Sequence, residues 1–101
     1  MEYRIENNAG NLRVAFSGEI TFTQNMLFRD MLKDISAQSA KSCVFDLGGV
    51  DMVDSAGLGM FLIAKEQADT SGWKLYLSGA TGHVASMLKL TKLSEIIETP
   101  A

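Results

Sequence analysis

Ser55 stands in the run Asp51-Met52-Val53-Asp54-Ser55-Ala56-Gly57-Leu58-Gly59, with two carboxylates before it and an apolar stretch after it. A hydroxyl at or just before a helix start lies beside backbone N–H groups that have no intrahelical acceptor, where the helix dipole places partial positive charge. Two chemistries suit that position. The serine oxygen can cap the helix, a contribution of about 0.5–2 kcal/mol, or it can carry a phosphate that the free N–H groups would receive. Local chemistry alone favours the cap. Asp54 also has two readings: a cap that holds the loop, or a contact with a kinase's magnesium or the attacking hydroxyl during phosphoryl transfer. Capping is the simpler of these. Asp46 is read as closing a strand and satisfying loop N–H groups.

The remaining reactive side chains do not assemble into a catalytic set. A Gly-x-Ser-x-Gly elbow needs glycine two residues before the serine, and Val53 stands there. His83 is the one available base, and a single histidine in the Gly82-His83 turn reads as a solvated residue. Cys43 in an apolar strand reads as core packing, and Trp73 at a strand start as a lid on the core. Gly57-Leu58-Gly59-Met60-Phe61-Leu62 lacks the third glycine of a dinucleotide fingerprint. Gly57 and Gly59 are instead read as letting the helix lie close to the sheet. No enzymatic activity, metal or cofactor is expected.

Composition narrows the classes further. The chain has 101 residues, 47% apolar and 21% charged, which fits one globular domain spanning residues 1–101. The net charge of −3, with no basic block, argues against nucleic acid as a partner. A lone cysteine cannot form an internal disulfide. The start Met1-Glu2-Tyr3-Arg4 has no cationic segment followed by an apolar one. The longest apolar run, Leu58–Ala64, is far short of the ~20 residues that span a bilayer. A cytoplasmic location without membrane insertion is therefore expected.

The elements that must position Ser55 follow from periodicity. Tyr3 and Ile5, then Leu12, Val14 and Phe16, alternate with polar neighbours around Asn7-Asn8-Ala9-Gly10-Asn11, which reads as an antiparallel hairpin. Thr21 to Gln24 fits a capping box, and Phe28, Met31, Leu32 and Ile35 share one face of a helix near 23–39. Cys43-Val44-Phe45 reads as a strand covered on both faces, followed by a loop at 48–54 and a helix at 58–68. Trp73 to Leu77 reads as a strand, and Val84, Met87 and Leu88 begin a third helix. Ile96 and Ile97 suggest a last short element before Thr99-Pro100-Ala101. The order β-β-α-β-α-β-α requires parallel pairing with right-handed crossovers after the hairpin. The expected fold is therefore an α/β domain on a mixed sheet.

The block Asp46-Leu47, Val50, Asp54-Ser55-Ala56-Gly57-Leu58-Gly59 resembles the signature of STAS domains, and among them the bacterial anti-sigma factor antagonists. Phe16-Ser17-Gly18-Glu19-Ile20 is similar to that family's second strand and Gly-Glu turn. Gly72 before Trp73–Leu77 resembles its last central strand, and Leu88-Lys89-Leu90-Thr91-Lys92-Leu93 its closing helix and turn. Thr21 stands where the family often has an acid. The resemblance implies a single STAS domain in which Ser55 is phosphorylated by an anti-sigma factor serine kinase. It further implies that a serine phosphatase reverses the modification. STAS modules also serve as non-switching subunits of lipid-transport or stress-sensing complexes, which is the alternative function.

On this reading the partner-binding residues are Glu19, Asp51, Asp54, Ser55, Ala56, Leu58, Gly59, Met60 and Ile63. Leu58 to Ala64 is apolar throughout, although a surface helix keeps a polar arc. Met60 and Ile63 lie on a different arc from Leu58, Phe61 and Leu62, and are placed toward a partner; cover by the third helix is the alternative. A phosphate on Ser55 adds about −1.5 to −2 charges beside Asp51 and Asp54, which opposes docking. The free protein is expected to be a monomer.

Overall fold

Ala9 and Gly10 both take positive φ, 55° and 91°, the conformation that a two-residue hairpin turn requires. That turn fixes the register of β1 (Glu2–Asn8) against β2 (Asn11–Ile20), from Asn8 opposite Asn11 to Glu2 opposite Ser17. A computed structural model describes residues 1–97; Thr99-Pro100-Ala101 lie outside the described residues. After β2 come a short 3₁₀ turn (Phe22–Gln24), α1 (Asn25–Ala37), β3 (Ser42–Val53), α2 (Ser55–Ser71), β4 (Lys74–Ser78), α3 (Gly82–Leu90) and α4 (Leu93–Ile96). The sheet order is β1-β2-β3-β4, antiparallel at β1–β2 and parallel at both later pairs. The mixed α/β fold expected from the periodicity is the fold observed.

One face of the sheet carries the core. Leu12, Val14 and Phe16 of β2, Cys43, Phe45 and Leu47 of β3, and Leu75 and Leu77 of β4 are all buried. They meet Phe28, Met31, Leu32 and Ile35 of α1 and Phe61, Ala64 and Ala68 of α2. Burial pushes the Cys43 thiol up to about 12, so it stays protonated and unreactive at neutral pH. Among the described residues, no helix is long and apolar enough to cross a membrane.

Three local expectations need correction. The segment 48–54 is not a loop down to Asp54, because β3 continues to Val53. Parallel pairing with Ser17–Ile20 carries it through the two glycines, with register shifts between Ala15 and Ser17 and between Gly18 and Glu19. Nor is β3 covered on both faces. Val44 is only half-buried and shares its face with Asp46, which binds Arg13 of β2 at 2.8 Å. The capping box at 21–24 also fails. Thr21 Oγ1 pairs with Thr23 Oγ1, while Gln24 Oε1 accepts from the Met1 amine at 3.1 Å, so neither side chain is left for the helix. The backbone closes the turn itself, with the Gln24 N–H donating to the Thr21 carbonyl at 2.9 Å.

Asp46 also accepts from the Gly48 N–H at 3.0 Å, and this bond, helped by Arg13, holds its carboxyl below the usual carboxylate range. A depressed folded-state pKa contributes stability above the unfolded value, near pH 4, and that contribution disappears as pH falls through the folded value. Arg13 is half exposed, so the ion pair is worth about 1 kcal/mol or less. Urea titrations at pH 3 and pH 7 should therefore show a smaller acid loss for Asp46→Asn than for the wild type.

Candidate functional site

The ends of β2 and β3 and the beginnings of α1 and α2 meet at one corner of the domain. Ile20 and Val53 are register partners, and the Asp54 N–H donates to the Ile20 carbonyl at 3.4 Å. Helix α2 starts immediately afterwards, with Asp54 as its N-cap: Oδ1 accepts from the Gly57 N–H at 2.7 Å. The other carboxylate oxygen, Oδ2, accepts from the Phe22 N–H at 3.2 Å. Asp54 is thus the cap, and it also ties the chain leaving β2 to the start of α2. Ser55 is the first residue of α2 and is exposed.

Gly57 explains how the corner closes. A Cβ there would lie 2.1 Å from the Ile20 carbonyl oxygen and 2.8 Å from Val53 Cγ1, so only glycine lets the helix start against the strand ends. Gly59 does not share that role, since a Cβ there would meet nothing within 4 Å. The two glycines read together from the sequence are therefore different in kind.

The other expected site residues divide by burial. Glu19, Asp51 and Ser55 are exposed, and Asp54, Ala56, Gly59 and Ile63 are half-buried. Met60 and Leu58 are buried, 2% and 6% exposed, in the core cluster. The assignment of Met60 and Leu58 to the partner-binding surface is therefore wrong. Helix α2 packs on α1 as well as on β3 and β4, so its buried arc is wide enough to take in both positions. The arc left to solvent runs Ser55, Gly59, Leu62, Ile63, Glu66, at the i+4 and i+7 spacings of one helix face. Leu62, assigned to the sheet side by sequence reasoning, is 44% exposed on that stripe. Counting helical turns forward from Ser55 would have found it.

Sequence reasoning also missed three apolar side chains near this corner. Phe22 is 70% exposed and Met26 74%, while Met52, the register partner of Glu19, is 39% exposed. Met26 lines a shallow cavity on the α1–α2 side together with Arg29, Lys33, Ile63 and Gln67. Gln67 donates to the carbonyl of Leu32, which also lines the cavity, at 2.9 Å. His83 Nε2 lies 3.4 Å from the Val53 carbonyl oxygen, and among the described residues no hydrogen bond joins it to Ser55. No group of three or more His, Cys, Asp or Glu side chains that could hold a metal occurs among the described residues.

The model of the STAS domain matches residues 2–101. The chain belongs to the STAS domain family. Solved structures agree with this at the level of the fold. An anti-sigma factor antagonist described as putative, from Thermotoga maritima, is 19% identical with a TM-score of 0.86, over 96% of this chain and 84% of that one. An anti-sigma factor antagonist from Mycobacterium paratuberculosis is 22% identical with a TM-score of 0.80, over 99% and 86%. The Bacillus cell fate determinant SpoIIAA in its phosphorylated form is 12% identical with a TM-score of 0.74, over 99% and 92%. In this STAS domain, the signature block Asp54-Ser55-Ala56-Gly57-Leu58-Gly59 forms the junction between β3 and α2.

Proposed function

We propose that this STAS domain is an anti-sigma factor antagonist that works by partner switching, as a binding module and not an enzyme. Unmodified, it docks on an anti-sigma factor serine kinase in the cytoplasm. Phosphorylated on Ser55 by that kinase, it lets go, and a serine phosphatase returns it to the binding form. The observation that carries this reading is Ser55, exposed at the start of α2, next in the chain to the Asp54 that holds the Phe22 N–H and on one helix face with exposed Leu62. Similar folds described as anti-sigma factor antagonists, and that of SpoIIAA solved in a phosphorylated form, support it.

The surface has the composition such docking needs. Phe22, Met26, Met52 and Leu62 supply apolar contact, and Glu19 and Asp51 supply an acidic rim. Gly59 makes the helix less stable than alanine would by about 1 kcal/mol, yet no neighbouring atom needs the space. The bare backbone there is room for a partner's close approach. A phosphate adds about −1.5 to −2 charges to a corner that already holds Glu19, Asp51 and Asp54. Repulsion and desolvation then oppose docking without any change of fold.

The test is capture of the purified anti-sigma factor kinase of the same cell by wild type, Ser55→Ala and Ser55→Asp. A switch of ordinary strength, about 5–150-fold, predicts that Ser55→Asp binds that much more weakly while Ser55→Ala still binds. Phosphate incorporation from ATP should vanish in Ser55→Ala. Equal capture by wild type and Ser55→Asp would defeat the switch and return the chain to the reading of a structural subunit.

A further inference from the structure

Asp54 joins two things that the partner-switching reading treats separately: the modifiable serine and the exposed apolar turn. One carboxylate oxygen holds the Gly57 N–H at 2.7 Å and the other holds the Phe22 N–H at 3.2 Å. The second bond spans two elements far apart in sequence, because Phe22 opens the turn that leads into α1. Neither side chain of the failed capping box supplies this turn with a helix cap. Its ties are the Asp54 carboxylate, the backbone bonds from Gln24 to Thr21 and from Asn25 to Phe22, the contacts of Thr23 Oγ1 with Thr21 Oγ1 and Gln24 Nε2, and the Met1 amine on Gln24. Only the first touches the residues around Ser55.

We infer that Asp54 is a positioning residue that sets Phe22 on the docking surface, and that a phosphate on Ser55 acts through Asp54 to loosen the Phe22 turn. This rests on the reading of Ser55 as the modified residue. The physical chain is short. Ser55 follows Asp54 directly, so a phosphate dianion on it lies beside the Asp54 carboxylate. Adjacent like charges repel, and of the two Asp54 contacts the longer one yields first: the bond to Phe22 is 3.2 Å against 2.7 Å for the bond to Gly57. Release of the Phe22 bond frees a side chain that is 70% exposed and has little of its own packing to hold it. Modification therefore removes an anchor from the partner's footprint in addition to placing charge within it.

The experiment reads the Phe22 amide directly and needs no partner. Backbone hydrogen exchange is followed by NMR in wild type, in protein carrying phosphoserine introduced at position 55 during translation, and in Asp54→Asn and Asp54→Ala. A hydrogen bond to a charged acceptor is worth enough that its loss should speed exchange at Phe22 by roughly tenfold or more. Negative charge by itself slows base-catalysed exchange, so faster exchange in the phosphoserine protein reports the broken bond and not the added field. Asp54→Asn keeps the shape and a single neutral acceptor, and should fall between wild type and Asp54→Ala. If Asp54→Ala does not fold, Asp54→Asn and the phosphoserine protein still decide the matter. Unchanged or slower exchange at Phe22 in the phosphoserine protein overturns the coupling. That result would leave the partner-switching reading standing, because kinase capture is measured separately. Loss of the capture difference with accelerated Phe22 exchange would do the reverse.

Discussion

Gly57→Ala should destabilise the domain by about 3 kcal/mol or more, while Gly59→Ala, two residues along the same helix, should stabilise it by up to about 1 kcal/mol. The opposite signs follow from what each new methyl group meets. At position 57 it would sit 2.1 Å from the Ile20 carbonyl oxygen and 2.8 Å from Val53 Cγ1. The first of these is backbone at the end of β2, and it cannot turn aside as a long side chain would. Either α2 shifts outward or the ends of β2 and β3 separate. At position 59 nothing lies within 4 Å, so alanine brings only its better helix propensity. Urea unfolding of the two variants measures both effects. Equal midpoints would show that α2 does not rest on the strand ends as described. On the proposed function, Gly57→Ala should also weaken kinase capture, since the same shift moves the start of α2 relative to the strand ends.

The second large effect belongs to Phe28. Its ring stacks on Phe16 at 6.2 Å and meets Phe45 and Phe61 edge-on at 6.0 and 6.3 Å. Phe28 is thus the point where α1, α2, β2 and β3 share contacts. Aromatic pairs at these separations add to area burial, and truncating such a residue leaves a cavity that four elements cannot collapse around together. Phe28→Ala should cost about 3–5 kcal/mol. At roughly 4–8 °C per kcal/mol for a domain of this size, the melting temperature should fall by more than 10 °C. Phe28→Leu keeps much of the volume and should recover most of the loss. A small effect in Phe28→Ala would mean that α1 is not anchored through this ring.

The architecture was legible because the apolar period switches cleanly. The spacing of Phe28, Met31, Leu32 and Ile35 marks a face that is buried throughout, and the alternation through Leu12, Val14 and Phe16 marks a strand face that is buried throughout. Gly48 and Gly49 were misread as a break because strand pairing with a distant segment, not local propensity, keeps them extended. Val44 was misread because a three-residue apolar run has no visible period; Asp46, on the same face, carried the missing signal. Ser55, Asp54 and Gly57 were legible as a block. Met60 was not, since an apolar stretch from Leu58 to Ala64 has no polar residue to set its phase. Phe22 and Met26 escaped notice for another reason. A helix-start segment draws attention to its hydroxyl and amide groups, and exposure of its apolar residues depends on what the rest of the fold leaves uncovered.

The exposed side chains at this corner are not the ones that build the core. Glu19, Phe22, Met26, Met52 and Leu62 are all exposed, while the ring cluster and the strand faces beneath them are sealed. On the proposed function, binding preference and foldability are encoded in separate residues. Duplicated copies of such a gene can drift toward different companions by single substitutions, each tolerated by the scaffold, until two parallel signalling lines no longer cross-talk.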